Sequence, residues 1–124
     1  MRIAGVLATG LLLFFTPGCG VSSSSSVDET AARQALDRAL TAWRDGKAVD
    51  SLKNEDPPLE ATDHQWTGGL NLVKYEVKYN HPPSGPGQSF RVILWLKDKR
   101  SNQTKVVTQY DVTTSPLRVV RAGF

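Results

Sequence analysis

Few side chains here have the type and spacing for covalent or acid–base chemistry. Cys19 is the only cysteine. With no second cysteine there is no internal disulfide and no thiolate metal site, so its chemistry is that of a lone thiol. The two histidines, His64 and His81, stand in separate loops, and neither has a second ligand at metal-binding spacing. An aspartate base working with a tyrosine donor needs both groups in one pocket. The strands supply Tyr75, Tyr79, Tyr110 and Asp111. Alternation sends Tyr110 and Asp111 to opposite faces, and gives Tyr75 and Tyr79 a shared face with no acid on it. No Ser-His-Asp set, phosphate loop or paired-carboxylate signature occurs. The sequence therefore names no catalytic residue, no metal ligands and no cofactor, and an enzyme is the disfavoured class.

The position of Cys19 is more telling than its solitude. Arg2 gives a short positive start, and Ile3–Phe15 is an uncharged apolar run. That run falls short of the about 20 residues a helix needs to cross a bilayer core. It has the shape of a secretory signal peptide. Pro17-Gly18 ends any helix and leaves the chain extended for a peptidase. Thr16-Pro17-Gly18-Cys19 resembles the lipobox of bacterial lipoproteins, roughly Leu-(Ala/Ser/Thr)-(Gly/Ala)-Cys. The match lies at Gly18 and Cys19; Thr16 stands where Leu is usual, and Pro17 also departs. The resemblance implies cleavage before Cys19, lipid on its sulfur and acylation of the new amino terminus. Gly20 occupies the place where an Asp would retain such a protein at the inner membrane of two-membrane bacteria. The plainer reading of Cys19 is a leftover thiol at an ordinary cleavage site. On the lipoprotein reading, residues 1–18 are the signal peptide, 19–27 the lipidated cysteine and tether, and 28–124 a single domain, exported and lipid-anchored in the cell envelope. Two or three acyl chains anchor stably where one binds only marginally.

Behind Cys19, Ser22–Ser26 is an unbroken serine run that buries nothing and reads as a flexible tether. The rest is long enough for one modest core. The formal net charge is +3, but it is unevenly placed. Residues 28–63 hold nine acidic and five basic side chains, whereas 70–124 hold three acidic and nine basic. Such a dipole suits anionic headgroups or an acidic partner; the plain alternative is a solvated strand face with lysines guarding an edge. Nucleic acid is not expected of an exported chain without a recognition motif.

The elements that must position these residues follow from periodicity. Ser26-Val27-Asp28-Glu29 reads as a capping box. A helix should run from there to about Asp45, with Ala32, Leu36, Ala39, Leu40 and Trp43 on one apolar face. Gly46 suits a left-handed cap, and residues 47–53 form a short second helix with Val49 and Leu52 inward. Asn54–Gly69 is a crossing in which Leu59 and Ala61 mark a short edge strand, and the two glycines mark a bulge or bend. Trp66 there either plugs one end of the core or serves as a surface aromatic for a partner. Val73, Tyr75, Val77 and Tyr79 share one strand face. Phe90, Val92, Leu94 and Leu96 share another, with Ile93 and Trp95 opposite. Apolar groups on both sides imply a central strand or a second surface that something covers. Val106, Thr108, Tyr110 and Val112 face one way on the next strand, and Leu117, Val119 and Arg121 on the last. Phe124 is expected to tuck back onto the core.

Helix first and strands after indicate an α+β fold: an N-terminal helix packed on a curled antiparallel sheet of three to four strands. That order looks like the cone-shaped cystatin-like and nuclear transport factor 2-like group, by element order and patterning over Asp28–Phe124. The Gln-x-Val-x-Gly hairpin and Pro-Trp pair of cystatin inhibitors are missing, so protease inhibition is disfavoured. The run Trp66–Tyr75 also resembles a strand entry seen in short exported lipoproteins of unknown function. The expected function is a non-enzymatic envelope lipoprotein, whose partners are the membrane, through Cys19, and an envelope protein met by Trp66, Ile93 and Trp95. Self-association through the second sheet face stays open. The alternative is a small-ligand carrier or enzyme with a pocket between helix and sheet.

Overall fold

The computed structural model describes residues 28–80 and 87–122. The leading segment, Cys19, the serine tether, His81 and Phe124 lie outside the described residues. The element order is α1 (Glu29–Arg44), a 3-10 turn η1 (Val49–Asn54), β1 (Glu60–Thr62), α2 (His64–Thr67), β2 (Asn71–Asn80), β3 (Gly87–Lys97), β4 (Gln103–Thr114) and β5 (Leu117–Ala122).

α1 forms where the apolar spacing requires it. Ala32, Ala35, Leu36, Ala39, Leu40, Ala42 and Trp43 are all buried. The alanines bring the helix axis close to the sheet, and the two leucines and Trp43 fill the space beyond them. The expected capping box at Ser26 is replaced by Asp28. Its backbone is extended, and its Oδ1 accepts from the amides of Thr30 at 2.9 Å and Ala31 at 3.3 Å. A carboxylate there meets both the orphan amides and the positive end of the helix dipole. At the other end Gly46 has φ +85°. Its amide donates to Trp43 O, and that of Lys47 donates to Ala42 O, the paired bonds of a Schellman cap.

The sheet corrects the expectation of three to four antiparallel strands. It has five strands in the order β1-β5-β4-β3-β2, and it is mixed. β2 to β5 form an antiparallel meander, while β1 lies parallel to β5, with Ala61 opposite Val119. The reason is chain length. Only residues 63–70 link β1 to β2, so the chain must re-enter the sheet from the end at which it left. That makes β1 and β2 opposite in direction, and the three reversals from β2 to β5 then bring β5 parallel to β1.

A second correction lies in β2. Leu72 stands opposite Leu96, but Lys74 stands opposite Trp95, so one extra residue is inserted at Val73. This β-bulge turns Val73 outward, 39% exposed, whereas Tyr75 and Val77 stay against the core. The glycines do not make the bulge. Gly68 caps α2, and Gly69 turns the chain with φ +98°. Alternation holds in the other strands: Phe90, Val92, Leu94 and Leu96 of β3, Tyr110 and Val112 of β4 and Val119 of β5 are buried against α1 and η1.

The Gly46 cap gives a direct test. A Cβ added there meets nothing within 4 Å, so the cost of Gly46→Ala is that of the left-handed backbone alone. We expect a loss of about 1–2 kcal/mol, read as a lower urea midpoint at unchanged slope.

Candidate functional site

Two places gather polar or aromatic groups: one inside, at the corner after β1, and one outside, on the sheet face away from α1.

The inner cluster is built on Asp63, which is 3% exposed. It follows β1 directly and caps α2, its Oδ1 accepting from the amides of Gln65 at 2.8 Å and Trp66 at 3.2 Å. The same oxygen accepts from Arg121 Nη1 at 3.2 Å, and Oδ2 accepts from the Tyr110 hydroxyl. Arg121, on the inward face of β5, also donates from Nη1 to Gln65 Oε1 at 2.6 Å and from Nε to Thr108 Oγ1 at 2.8 Å. Burial, and after it the Asp63 carboxylate, hold the Tyr110 phenol far above its ordinary range. This cluster has the ingredients of acid–base chemistry, yet its members are turned on one another. A second tyrosine–acid pair joins β2 to α1. The Tyr75 hydroxyl donates to Asp37 Oδ1 at 2.8 Å across the helix–sheet layer. Burial first, with Asp37 adding to it, raises the Tyr75 phenol.

Both acids were missed by alternation along strands, because Asp37 comes from α1 and Asp63 from a corner. One signal pointed to the second. Arg121 shares the inward face of Leu117 and Val119, and a buried guanidinium requires a carboxylate. Asp111, as alternation requires, lies on the other face from Tyr110: it is exposed and accepts from Ser89 Oγ at 2.6 Å.

The tryptophans divide. Trp66 is 8% exposed, stacks on Trp43 at 5.5 Å with 6° between planes, and donates Nε1 to Lys47 O at 3.0 Å. It belongs to the core, and the expectation of a partner-facing aromatic at Trp66 is withdrawn. A cleft of about 390 Å³ opens beside the pair, edged by Lys47, Val49 and Leu70. Between α1 and the sheet, by contrast, Leu36, Leu40, Phe90, Leu94, Tyr110 and Val112 occupy the layer, each at most 2% exposed.

Ile93 and Trp95 sit half-buried on the outer face, as the sequence placed them. Trp95 lies opposite Lys74 on β2 and Lys105 on β4. The ammonium of Lys74 is 4.4 Å from the ring centroid, and that of Lys105 is 5.8 Å away. Ile93 is flanked by Val107, 55% exposed, and Glu76, which pairs with Lys78 at 3.1 Å.

His64 is exposed at the start of α2, and no cluster of three or more metal-ligating side chains occurs among the described residues. Nor is any described helix long and apolar enough to cross a membrane. No family model, curated protein or solved structure matches the chain.

The inner cluster predicts a stability signature. Arg121→Met leaves Asp63 buried without its cation and should cost about 3–5 kcal/mol. Tyr110→Phe removes one donor and should cost about 1–3 kcal/mol. The raised phenol fixes the sign of the pH effect. An unfolded tyrosine ionises near pH 10, below its folded counterpart, so this contribution is complete below about pH 10 and declines as pH rises above it. Urea titrations across that range should show a shallower alkaline decline in Tyr110→Phe than in the parent. An equal decline would remove Tyr110 from the cause.

Proposed function

We infer that this chain is an exported lipoprotein, anchored in the bacterial cell envelope through lipid on Cys19, whose α+β domain is a non-enzymatic binding or accessory module. The observation that carries the non-catalytic half is the closure of the inner cluster. Asp63, Tyr110 and Arg121 are each at most 8% exposed, and both Asp63 oxygens and the Tyr110 hydroxyl are bonded within the cluster. The anchored half rests on the sequence: the apolar run, Gly18-Cys19 and the serine tether. The surface we favour for binding is the outer sheet face around Ile93 and Trp95. An unpaired face of this kind, apolar at its centre and cationic at its edge, suits a partner better than plain solvent. The ligand-carrier alternative asks for space between helix and sheet, which the leucines, Phe90 and Tyr110 occupy.

Two measurements test the halves separately. Expressed with its leader in a bacterial host, the chain should partition into detergent phase and carry acyl mass on an amino-terminal Cys19. Cys19→Ser should lose both, and an unmodified Cys19 would end the anchor reading. For the domain, Trp95→Glu should keep the parent's circular dichroism and lose less than about 1 kcal/mol, as surface substitutions do. Loss of the folded state would make Trp95 part of the core and remove the outer face as a binding surface.

A further inference from the structure

We propose that the outer sheet face docks on an anionic lipid bilayer, with Trp95 at headgroup depth between Lys74 and Lys105. This rests on the anchored reading above and names the partner of that same face.

Charge is the first argument. No ion pair forms at Lys74, Lys97, Lys99, Arg100 or Lys105 among the described residues, although cations elsewhere find carboxylates: Arg33 with Asp37, Arg38 and Lys47 with Glu55, Lys53 with Asp50, Arg118 with Glu60. The acids of this region are already engaged. Asp98 accepts from the amides of Arg100 and Asn102, both at 2.9 Å, and these bonds, that of Asn102 foremost, lower its pKa. Glu76 pairs with Lys78, and Asp111 accepts from Ser89. Among the described residues, the β3–β4 hairpin and the strand ends beside it therefore carry an excess of cationic charge outside any ion pair.

Side-chain type is the second argument. Tryptophan is enriched at headgroup depth in membrane interfaces, and lysines beside it can extend their ammonium groups to phosphate. Val73 and Val107 add apolar surface on either side of the same face. A bilayer asks for charge and apolar area without the shape match of a protein partner.

Reach is the third. Trp43, near the end of α1, donates to Leu70 O at 2.8 Å, and Asn71 pairs with Lys97. The end of α1 and the basic hairpin thus share one end of the molecule, and Asp28 lies at the other, roughly 24 Å along the helix. Cys19 to Asp28 spans at most about 30 Å when extended. A domain held there and drawn down at its hairpin lies along the bilayer on its sheet.

Tryptophan fluorescence of the full chain reads this directly, because Trp43 and Trp66 are buried and Trp95 is the partly exposed ring. The chain is incorporated into vesicles of phosphatidylcholine alone, or of phosphatidylcholine with phosphatidylglycerol, each with brominated acyl chains as quenchers. We expect quenching that needs phosphatidylglycerol, weakens with added salt and disappears in Trp95→Phe. Each lysine near an anionic surface favours the docked state by about fivefold, so Lys74→Glu with Lys105→Glu should lower the docking equilibrium constant at least about 25-fold. Circular dichroism confirms that the variants fold. Equal quenching on both lipids, none on either, or anionic-lipid quenching that survives the double reversal would overturn the proposal. The second outcome would leave the face for a protein. Docking by a chain whose Cys19 carries no acyl mass would end the anchor reading and leave this one standing.

Discussion

The buried carboxylate of Asp63 is the constraint on which the rest of the structure turns. Removing a carboxylate from water is costly, and the cost is tolerable only where strong donors replace the solvent. Four donors converge on it: two amides of α2, the Tyr110 hydroxyl of β4 and the Arg121 guanidinium of β5. Those donors belong to three parts of the chain, so the charge is satisfied only when all three are in place. The corner after β1 is thereby fixed to β4 and β5. Trp66, three residues on, is delivered onto Trp43, which ties the same corner to α1. One charged group thus links both layers at one end of the molecule.

That corner also decides the topology. Between β1 and β2 the chain must cross from one edge of a five-stranded sheet to the other, roughly 19 Å at ordinary strand spacing. Residues 63–70 do this with one helical turn and a short extended piece, and there is no length to spare for a change of end. The parallel β1–β5 pair follows from this short link rather than from any preference of Glu60–Thr62 itself. Three residues of parallel ladder are a weak element, and the exposed Arg118–Glu60 bridge at 2.8 Å adds little. β1 keeps its place because Leu59 before it and Asp63 after it are both buried.

The sequence was legible wherever one element sets its own pattern. The apolar face of α1, the Gly46 cap, the inward Leu52, the inward rows of β3, β4 and β5 and the outward Ile93 and Trp95 all obey a single period, 3.6 or 2. It was illegible where two elements compete or meet. Val73 fits an inward alternation with Tyr75 and Val77, but Leu72 also has to face Leu96, and the bulge resolves the conflict in favour of Leu72. Asp63 and Asp37 answer tyrosines 47 and 38 residues away in sequence, a pairing that no local period encodes. The cap was expected at Ser26, but the helix starts two residues later, on Asp28, whose carboxylate accepts from the amides of its first turn. The mixed sheet was within reach, since the short edge strand at Leu59–Ala61 and the brief link after it imply the parallel pair by counting reversals.

The three tryptophans show how neighbours, rather than residue type, divide core from surface. Trp43 and Trp66 each find a backbone carbonyl for the indole N–H, Leu70 O and Lys47 O, and each finds the other's ring. An indole so placed has its one polar group already paired inside the fold. Trp95 lies on a face where the cross-strand neighbours on both sides are lysines. Their ammonium groups over the ring provide a cation–π contact and shield apolar area from water. The same two lysines repel a second copy bearing the same charges, so the arrangement opposes pairing of two such faces. It does not oppose an anionic surface, where phosphate attracts both ammonium groups and the indole enters the headgroup layer. A face that discourages its own kind and favours negative charge is selective by electrostatics alone.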